Sequence, residues 1–297
     1  METKTITKAK QQAGTMMMKP DFEVAPDAIK KQQISEHRDY YVAQHNDFIQ
    51  KQRFAEERGS GKSLTLTEEK ILSYLISQIK PHTTHLEPMT FDIRMFCEVC
   101  GLGKGNKETC YHQVKSAVKQ LSERVMWLRS DDGSETTVRY ISRARMYRGK
   151  GQITIEFDDM MEPFLLNLAG KYFQFSLHNI LAMKSKYSIQ LYKLLKSYYF
   201  QCPSIRFEIK MLKEILDATH YTRFSDFKDR VLMPGLCEIN KYTDLSVDVK
   251  FEKKGRTVSY VLFSMTNLEN VNSQEEVAEA QKRYYNVERV IEPGFYL

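Results

Sequence analysis

Four residues in the first half of the chain have the types and spacing of a metal site. Cys97-x-x-Cys100, followed by Cys110 and His112, offers three thiols and an imidazole, a donor set that zinc accepts. Against zinc, Cys97 and Cys100 stand one helical turn apart and Cys100 falls on a core face, where a free thiol packs as a small hydrophobe. No metal is therefore expected. Gly61-Lys62-Ser63 has the ending of a phosphate-binding loop, but Glu56 stands where the loop needs glycine, and the preceding segment is polar rather than a buried strand. A flexible linker is the better account. Nicking of DNA by a tyrosine would need a His-x-His metal pair, and His82-Thr83-Thr84-His85 has the wrong spacing. No carboxylate pair, triad or activated nucleophile stands out, so the expectation is a binding protein without enzymatic activity or cofactor.

The bulk properties agree. A chain of 297 residues, 28% charged and 42% hydrophobic, is long enough for about two globular domains. No apolar run approaches the roughly 18 residues a membrane span requires, and the start lacks the apolar stretch of a signal peptide. Five cysteines are an odd number, which argues against a disulfide framework and for a reducing cytoplasm. The net charge is +6; between Lys104 and Lys150, eleven Lys/Arg oppose five Asp/Glu, so that one segment can account for the whole excess. Such a basic stretch fits a phosphate-facing surface.

An internal repeat organises what lies around these residues. Phe91–Val99 and Phe207–Ile215 agree in residue type at eight of nine positions, Cys97 against Lys213 being the mismatch. In each copy an alternating strand pattern (Met89, Phe91, Ile93; Ile205, Phe207, Ile209) turns into helical spacing (Ile93, Phe96, Val99, Cys100; Ile209, Leu212, Ile215, Leu216). The flanks repeat as well. Thr67 can cap a helix through Ile79, with Leu66 and Ile71 as a hydrophobic staple. After the first copy come a Gly101–Gly105 loop, a helix from Lys107 to Arg124, a strand Met126–Arg129, a turn at Asp131-Asp132-Gly133, and strands Thr136–Arg145 and Gln152–Phe157. The second half has a helix from Ser185 to Phe200, the second copy, a helix from Ser225 to Asn240 kinked by Pro234, and a hairpin of Leu245–Phe251 with Thr257–Met265. Helix, short strand, helix, helix, β-hairpin is the winged-helix plan.

The fold expected is α+β, mainly helical, with two tandem winged-helix domains of the same plan. The boundaries read as 1–60 for an N-terminal arm and surface helices, 61–157 and 176–266 for the two domains, 158–175 for a connecting helix, and 267–297 for a C-terminal tail. Within that tail, Ser273 and Glu276 have capping-box spacing for a helix to Tyr285, and Pro293–Leu297 is apolar enough to pack on the body. In helix-turn-helix proteins the second helix of the unit enters the major groove. That points to Asn106, Lys107, His112, Lys115 and Lys119 in the first domain, and to Tyr221, Arg223, Lys228 and Arg230 in the second. Hairpin residues Arg143, Arg145, Arg148, Lys150, Lys253, Lys254 and Arg256 suit phosphate contacts.

Three stretches resemble a known family. Met183-Lys184-Ser185-Lys186-Tyr187-Ser188-Ile189-Gln190-Leu191-Tyr192-Lys193-Leu194-Leu195-Lys196 is similar to the signature of theta-type plasmid replication initiators, the iteron-binding Rep family. So is the run from Phe227 to Asn240, with Lys254-Gly255-Arg256 after it, and Leu64–Lys70 resembles the family's first-domain entry. The resemblance covers roughly residues 46–266. It implies a bacterial cytoplasmic protein that binds double-stranded DNA at repeated origin sites (iterons), melts the origin, and engages the host replication initiator and helicase. It also implies a homodimer in equilibrium with the initiating monomer, the dimer repressing its own synthesis. The strong base contacts of the family's second recognition helix carry over to Arg223, Lys228 and Arg230, whereas Asp229 stands where some members have a basic residue. The alternatives are a winged-helix transcriptional regulator and a rolling-circle nickase.

Overall fold

The computed structural model describes residues 41–53, 63–79, 83–100, 107–129, 134–147, 150–166, 168, 171–267 and 289–291. The arm at 1–27, the 59–62 linker, the Gly101–Gly105 loop, the turn at Asp131–Gly133, the tail helix 273–285 and the end segment Pro293–Leu297 lie outside the described residues.

Residues 41–53 differ from the surface helices expected of so polar a segment. They form β1 (Tyr41–His45), a single helical turn α1 (Asp47–Gln50) and β2 (Gln52–Arg53). Val42, Phe48 and Ile49 are buried, and those few apolar residues suffice to seat the segment in the body. Next come α2 (Leu66–Ser77), β3 (Met89–Asp92), α3 (Ile93–Cys100), α4 (Lys107–Glu123), β4 (Val125–Arg129), β5 (Glu135–Arg139), β6 (Ile141–Tyr147) and β7 (Gln152–Phe157). A 3-10 turn at Asp159–Met161 leads into the short α5 (Glu162–Leu165), so the connecting helix is shorter than its apolar composition suggested.

The cap of α2 is Thr65 rather than Thr67. Its hydroxyl accepts from Glu68 N at 3.3 Å while Glu68 Oε2 accepts from Thr65 N at 2.7 Å, a reciprocal box that Thr67 could not make. Leu66 is thereby the first helical residue, and no Leu66–Ile71 staple forms across the cap. The expected strand Thr136–Arg145 is broken at Tyr140, whose buried ring turns the chain from one sheet to another. Its hydroxyl accepts from Gln52 Nε2 at 2.9 Å, and burial pushes it well above the ordinary tyrosine range, with Glu69 adding to the rise.

The second half contains β8 (Tyr172–Ser176), α6 (Leu177–Ala182), α7 (Lys186–Tyr199), β9 (Ser204–Glu208), α8 (Ile209–Ile215), α9 (Phe224–Phe227), a π turn (Lys228–Leu232), α10 (Met233–Tyr242), β10 (Leu245–Lys254), β11 (Thr257–Asn267) and β12 (Arg289–Ile291). The sheets make the duplication visible. In one, β7 lies between β3 and β6; in the other, β11 lies between β9 and β10, and these pairings are antiparallel. Thus β3 corresponds to β9, and the hairpin β6–β7 corresponds to β10–β11. The first half inserts β4 and β5 between its recognition helix and its wing, and they join β2 in a sheet of their own. In the second half β12 adds a parallel strand to the free edge of β9, with Val290 opposite Arg206.

Helix α7 holds the two halves together. Its apolar spacing reads as one buried face, yet every residue from Ser188 to Tyr199 is buried. Lys193 Nζ meets Glu69 Oε2 of α2 at 2.7 Å, both side chains at 7% exposure or less. Gln50 Nε2 donates to Ser197 Oγ at 3.1 Å, and Lys70 Nζ to Leu181 O at 2.9 Å. On the other side Lys196 pairs with Asp244, which also accepts from Tyr192 Oη at 2.6 Å and Asn179 Nδ2 at 3.1 Å. Burying ammonium groups is tolerable only because each has a carboxylate partner. At the entry to α7, Asp217 Oδ2 accepts from Ser63 Oγ at 2.7 Å and pairs with Lys186 Nζ at 3.5 Å, tying the linker to the second half.

Candidate nucleic-acid interface

In the second helix-turn-helix unit, α8 is followed by the long helix formed by α9, the π turn and α10, which packs on α7 and the wing strand β10. Phe227, Val231, Gly235 and Ile239 are buried, one every four residues. That spacing would drift around an unbroken α-helix of 3.6 residues per turn, and the wider π turn resets it. The break lies where Pro234 has no N–H to give, so the expected kink takes the form of a π turn closed by Met233 N–H on Lys228 O. At Gly235 the helix sits close on α7: a Cβ there would lie 3.4 Å from Leu191 Cδ2. Glu238 Oε2 accepts from Lys184 N and Ser185 N at 3.1 and 3.3 Å, and Asn240 pins Val247 of the wing strand through both amide atoms at 2.7 and 3.0 Å. The outward face carries Arg223, Asp229, Arg230, Met233, Cys237 and Asn240, all exposed.

The single mismatch of the repeat proves informative. In the first unit Cys97 of α3 is joined to Cys110, the fourth residue of α4, with the two Cα atoms 6.0 Å apart. In the second unit Lys213, at the place of Cys97, reaches the same part of the following helix. Its Nζ donates to Tyr221 O at 2.6 Å and lies 5.4 Å from the ring of Phe227, the fourth residue of α9. Burial pulls the Lys213 ammonium below the ordinary lysine value. Each unit therefore fastens its first helix to the start of its recognition helix, by different chemistry. The Cys97–Cys110 bond goes against the reading of the odd cysteine count as an argument against disulfides, because an odd count does not forbid one pair on facing helices at disulfide distance. It also removes two of the four candidate zinc ligands, while His112 is 68% exposed beside Glu108.

The remaining predicted residues divide clearly. Asn106 and Arg148 lie outside the described residues, and Lys107 opens α4. Lys115 and Lys119 are exposed on α4, the latter 3.9 Å from Glu123. On the first wing Arg143 pairs with Glu156 at 3.6 Å, and Lys150 lies 5.9 Å from the Tyr147 ring. Hydrogen bonding from Thr154 and Arg145 lowers the Tyr147 hydroxyl from its ordinary value. On the second wing Lys253, Lys254 and Arg256 are exposed around Gly255, whose φ of +66° makes the turn one that favours glycine. Arg223 and Arg230 are exposed and make no ion pair among the described residues. Lys228 is half-buried, its ammonium 5.6 Å from the Phe251 ring. Tyr221 is committed to packing, its ring 4.1 Å from that of His220 and edge-on to Tyr187. Lys213 escaped sequence reasoning, although as the one break in the repeat it was marked. Met233 escaped it too, although a core-type residue off the buried period was a signal.

Two helix-turn-helix units, each followed by a basic β-hairpin and joined through one shared helix, define a tandem winged-helix protein. The chain belongs to the initiator replication protein family. The family model described as "Initiator Replication protein, WH1" matches residues 41–196, and that described as "Initiator Rep protein, WH2" matches residues 208–265. Both bear out the resemblance to theta-type plasmid replication initiators. The crystal structure of the Pi initiator protein in complex with iteron DNA aligns over 77% of this chain and 98% of that one, with a TM-score of 0.61 and 21% identity. At that identity the likeness speaks for the fold alone. Domains 2 and 3 of RctB align over 77% and 92% of the two chains at a TM-score of 0.43 and 12% identity. The WH1 domain of a replication protein isolated from a multiple sclerosis patient aligns over 34% and 79% at 0.27 and 19%. Neither of these two scores bears on the fold. No helix among the described residues is long and apolar enough to cross a membrane.

Proposed function

We propose that this chain initiates replication of a plasmid by binding iterons at its origin, one winged-helix domain to each of two successive major-groove faces. The observation that carries the reading is the pair Arg223 and Arg230. Both are exposed at the start of the second recognition helix, without an ion pair among the described residues, beside a wing tip bearing Lys253, Lys254 and Arg256. Guanidinium groups so placed suit guanine O6 and N7, and the wing cations suit phosphates. The exposed cations Lys115 and Lys119 of α4, with Arg143, Arg145 and Lys150 of the first wing, suit the same division in the first domain. Membership of the initiator family supports this, as does a relative of the same fold that was crystallised on iteron DNA.

The finer steps belong to the same proposal: melting of an adjacent AT-rich stretch, recruitment of the host initiator and helicase, and a dimer that represses its own gene and dissociates to initiate. The chain would act by binding alone. Footprinting on the DNA around its own gene tests the reading. Protection of direct repeats spaced by about two helical turns is expected. Protection of an isolated palindrome would favour a regulator, and Mg²⁺-dependent nicking of a supercoiled origin plasmid would favour a nickase.

A further inference from the structure

Met233 is the one large apolar side chain that the second recognition helix leaves to solvent, at 41% exposure. Its neighbours by type, Phe227, Val231, Leu232, Leu236 and Ile239, all face the core. The π turn places it there: Met233 closes that turn through its N–H on Lys228 O, one residue before Pro234. Arg230 stands one turn before it on the outward face and the exposed Cys237 one turn after. The middle of the outward face is therefore poor in hydrogen-bonding groups, with the guanidinium of Arg230 before it and Asn240 and Lys241 beyond.

A major groove presents one apolar feature at base level, the 5-methyl group of thymine. A flexible, polarisable thioether fits against such a methyl without demanding one angle of approach. We propose that Met233 is a specificity-determining residue, reading a thymine 5-methyl group at the centre of the site, while Arg223 and Arg230 read hydrogen-bonding edges beside it. This rests on the proposal that the helix enters the major groove of an iteron. Asp229, exposed one residue before Arg230, adds to the discrimination by repelling phosphate and so keeping this face on the bases.

The test uses the full chain and a duplex carrying its footprinted repeat, with each thymine replaced in turn by deoxyuridine, which lacks only the methyl group. Affinity is read by fluorescence anisotropy. For the wild type, one or two central positions are expected to lose about fourfold on replacement, the factor set by one buried methyl group. Met233→Ala should bind the thymine and deoxyuridine duplexes equally, at the wild type's deoxyuridine level, whereas Met233→Leu should keep the difference. Met233 is exposed, so both variants should retain wild-type circular dichroism. Specific binding with no deoxyuridine-sensitive position, or the same sensitivity in Met233→Ala, would overturn the methyl reading alone. Absence of any sequence-specific binding by the wild type would overturn the iteron reading and this one with it.

Discussion

Replacing Lys193 with methionine would test how α7 is held against α2. The Lys193 ammonium lies 2.7 Å from Glu69 Oε2, and the two side chains are 3% and 7% exposed. Methionine matches the lysine stem in length, so packing around α7 is kept and the charge alone is removed. That strands the Glu69 carboxylate inside the body, where truncating one partner of a buried pair costs about 3–5 kcal/mol. Set against a total stability of roughly 5–15 kcal/mol, this is a large fraction. Urea denaturation followed by circular dichroism and by the fluorescence of Trp127, the single tryptophan, would give the difference from the shift in midpoint. Adding Glu69→Leu should restore most of the loss, because a well-packed apolar pair is about as stable as the ion pair it replaces. Lys119→Met serves as the control, since Lys119 and Glu123 are 74% and 65% exposed and salt and water screen them. A loss under about 1 kcal/mol for Lys193→Met would refute the pair as the tie between α2 and α7. So would a double variant no better than the sum of its parts.

Four further outcomes are expected. Arg230→Ala should weaken iteron binding by about 1–3 kcal/mol and relax one base position in a selection experiment; unchanged specificity would assign Arg230 to a phosphate instead. Raising salt from 50 to 200 mM should lower affinity roughly 10³-fold or more if six or more phosphates are neutralised, and a flat response would refute docking of both domains. Burial pushes the Tyr187 hydroxyl up to about 12, with the Tyr221 and Asp217 charges helping. A raised folded value means that this contribution is complete below the unfolded value near 10 and is lost as pH rises through 12. Alkaline destabilisation in that window should therefore be shallower in Tyr187→Phe, and by less than about 1.4 kcal/mol per pH unit, because the side chain is only half-buried. Thiol titration of the denatured, unreduced protein should count three free cysteines of the five. Reductant should cost up to about 3 kcal/mol of stability, the chain-entropy value for so short a loop, and should leave Cys97→Ser unaffected.

Much of the fold was legible because it is written in local periods. The switch from alternation to helical spacing at Ile93 and Ile209 marks where β3 and β9 turn into α3 and α8, since the strand and the helix each bury one face. The start of α7 at Ser185 was legible for the same local reason; in the structure Ser185 is its cap, its hydroxyl accepting from Tyr187 N at 3.2 Å. Lys193 and Lys196 were not. On the helical period of α7 they fall on the polar side, and only partners far along the chain, Glu69 and Asp244, make that side interior. The break at Tyr140 was hidden too, because Val138 and Ile141 continue a plausible strand while the sheet changes around them. At the candidate interface, the exposure of Arg223 and Arg230 followed from their place after the repeat. Tyr221 did not, because its commitment to His220 and Tyr187 is a matter of packing that residue type does not reveal.

The pairing of β1 with β8 bears on how the molecule is made. Tyr41 lies opposite Ser176 and His45 opposite Tyr172, so the early strand has no partner until a far later one has been synthesised. At roughly 5–20 residues per second, the interval is about 6–25 s on the ribosome. Glu69 waits nearly as long for Lys193, carrying a carboxylate that water must solvate until α7 arrives. For that time β1 is an open edge, able to pair with a neighbouring nascent chain on a crowded polysome. Val42, buried once β8 is in place, is meanwhile an apolar side chain in water. Yield in cells should accordingly respond to elongation rate and to chaperones that cover extended segments, more than the stability of the finished protein would suggest.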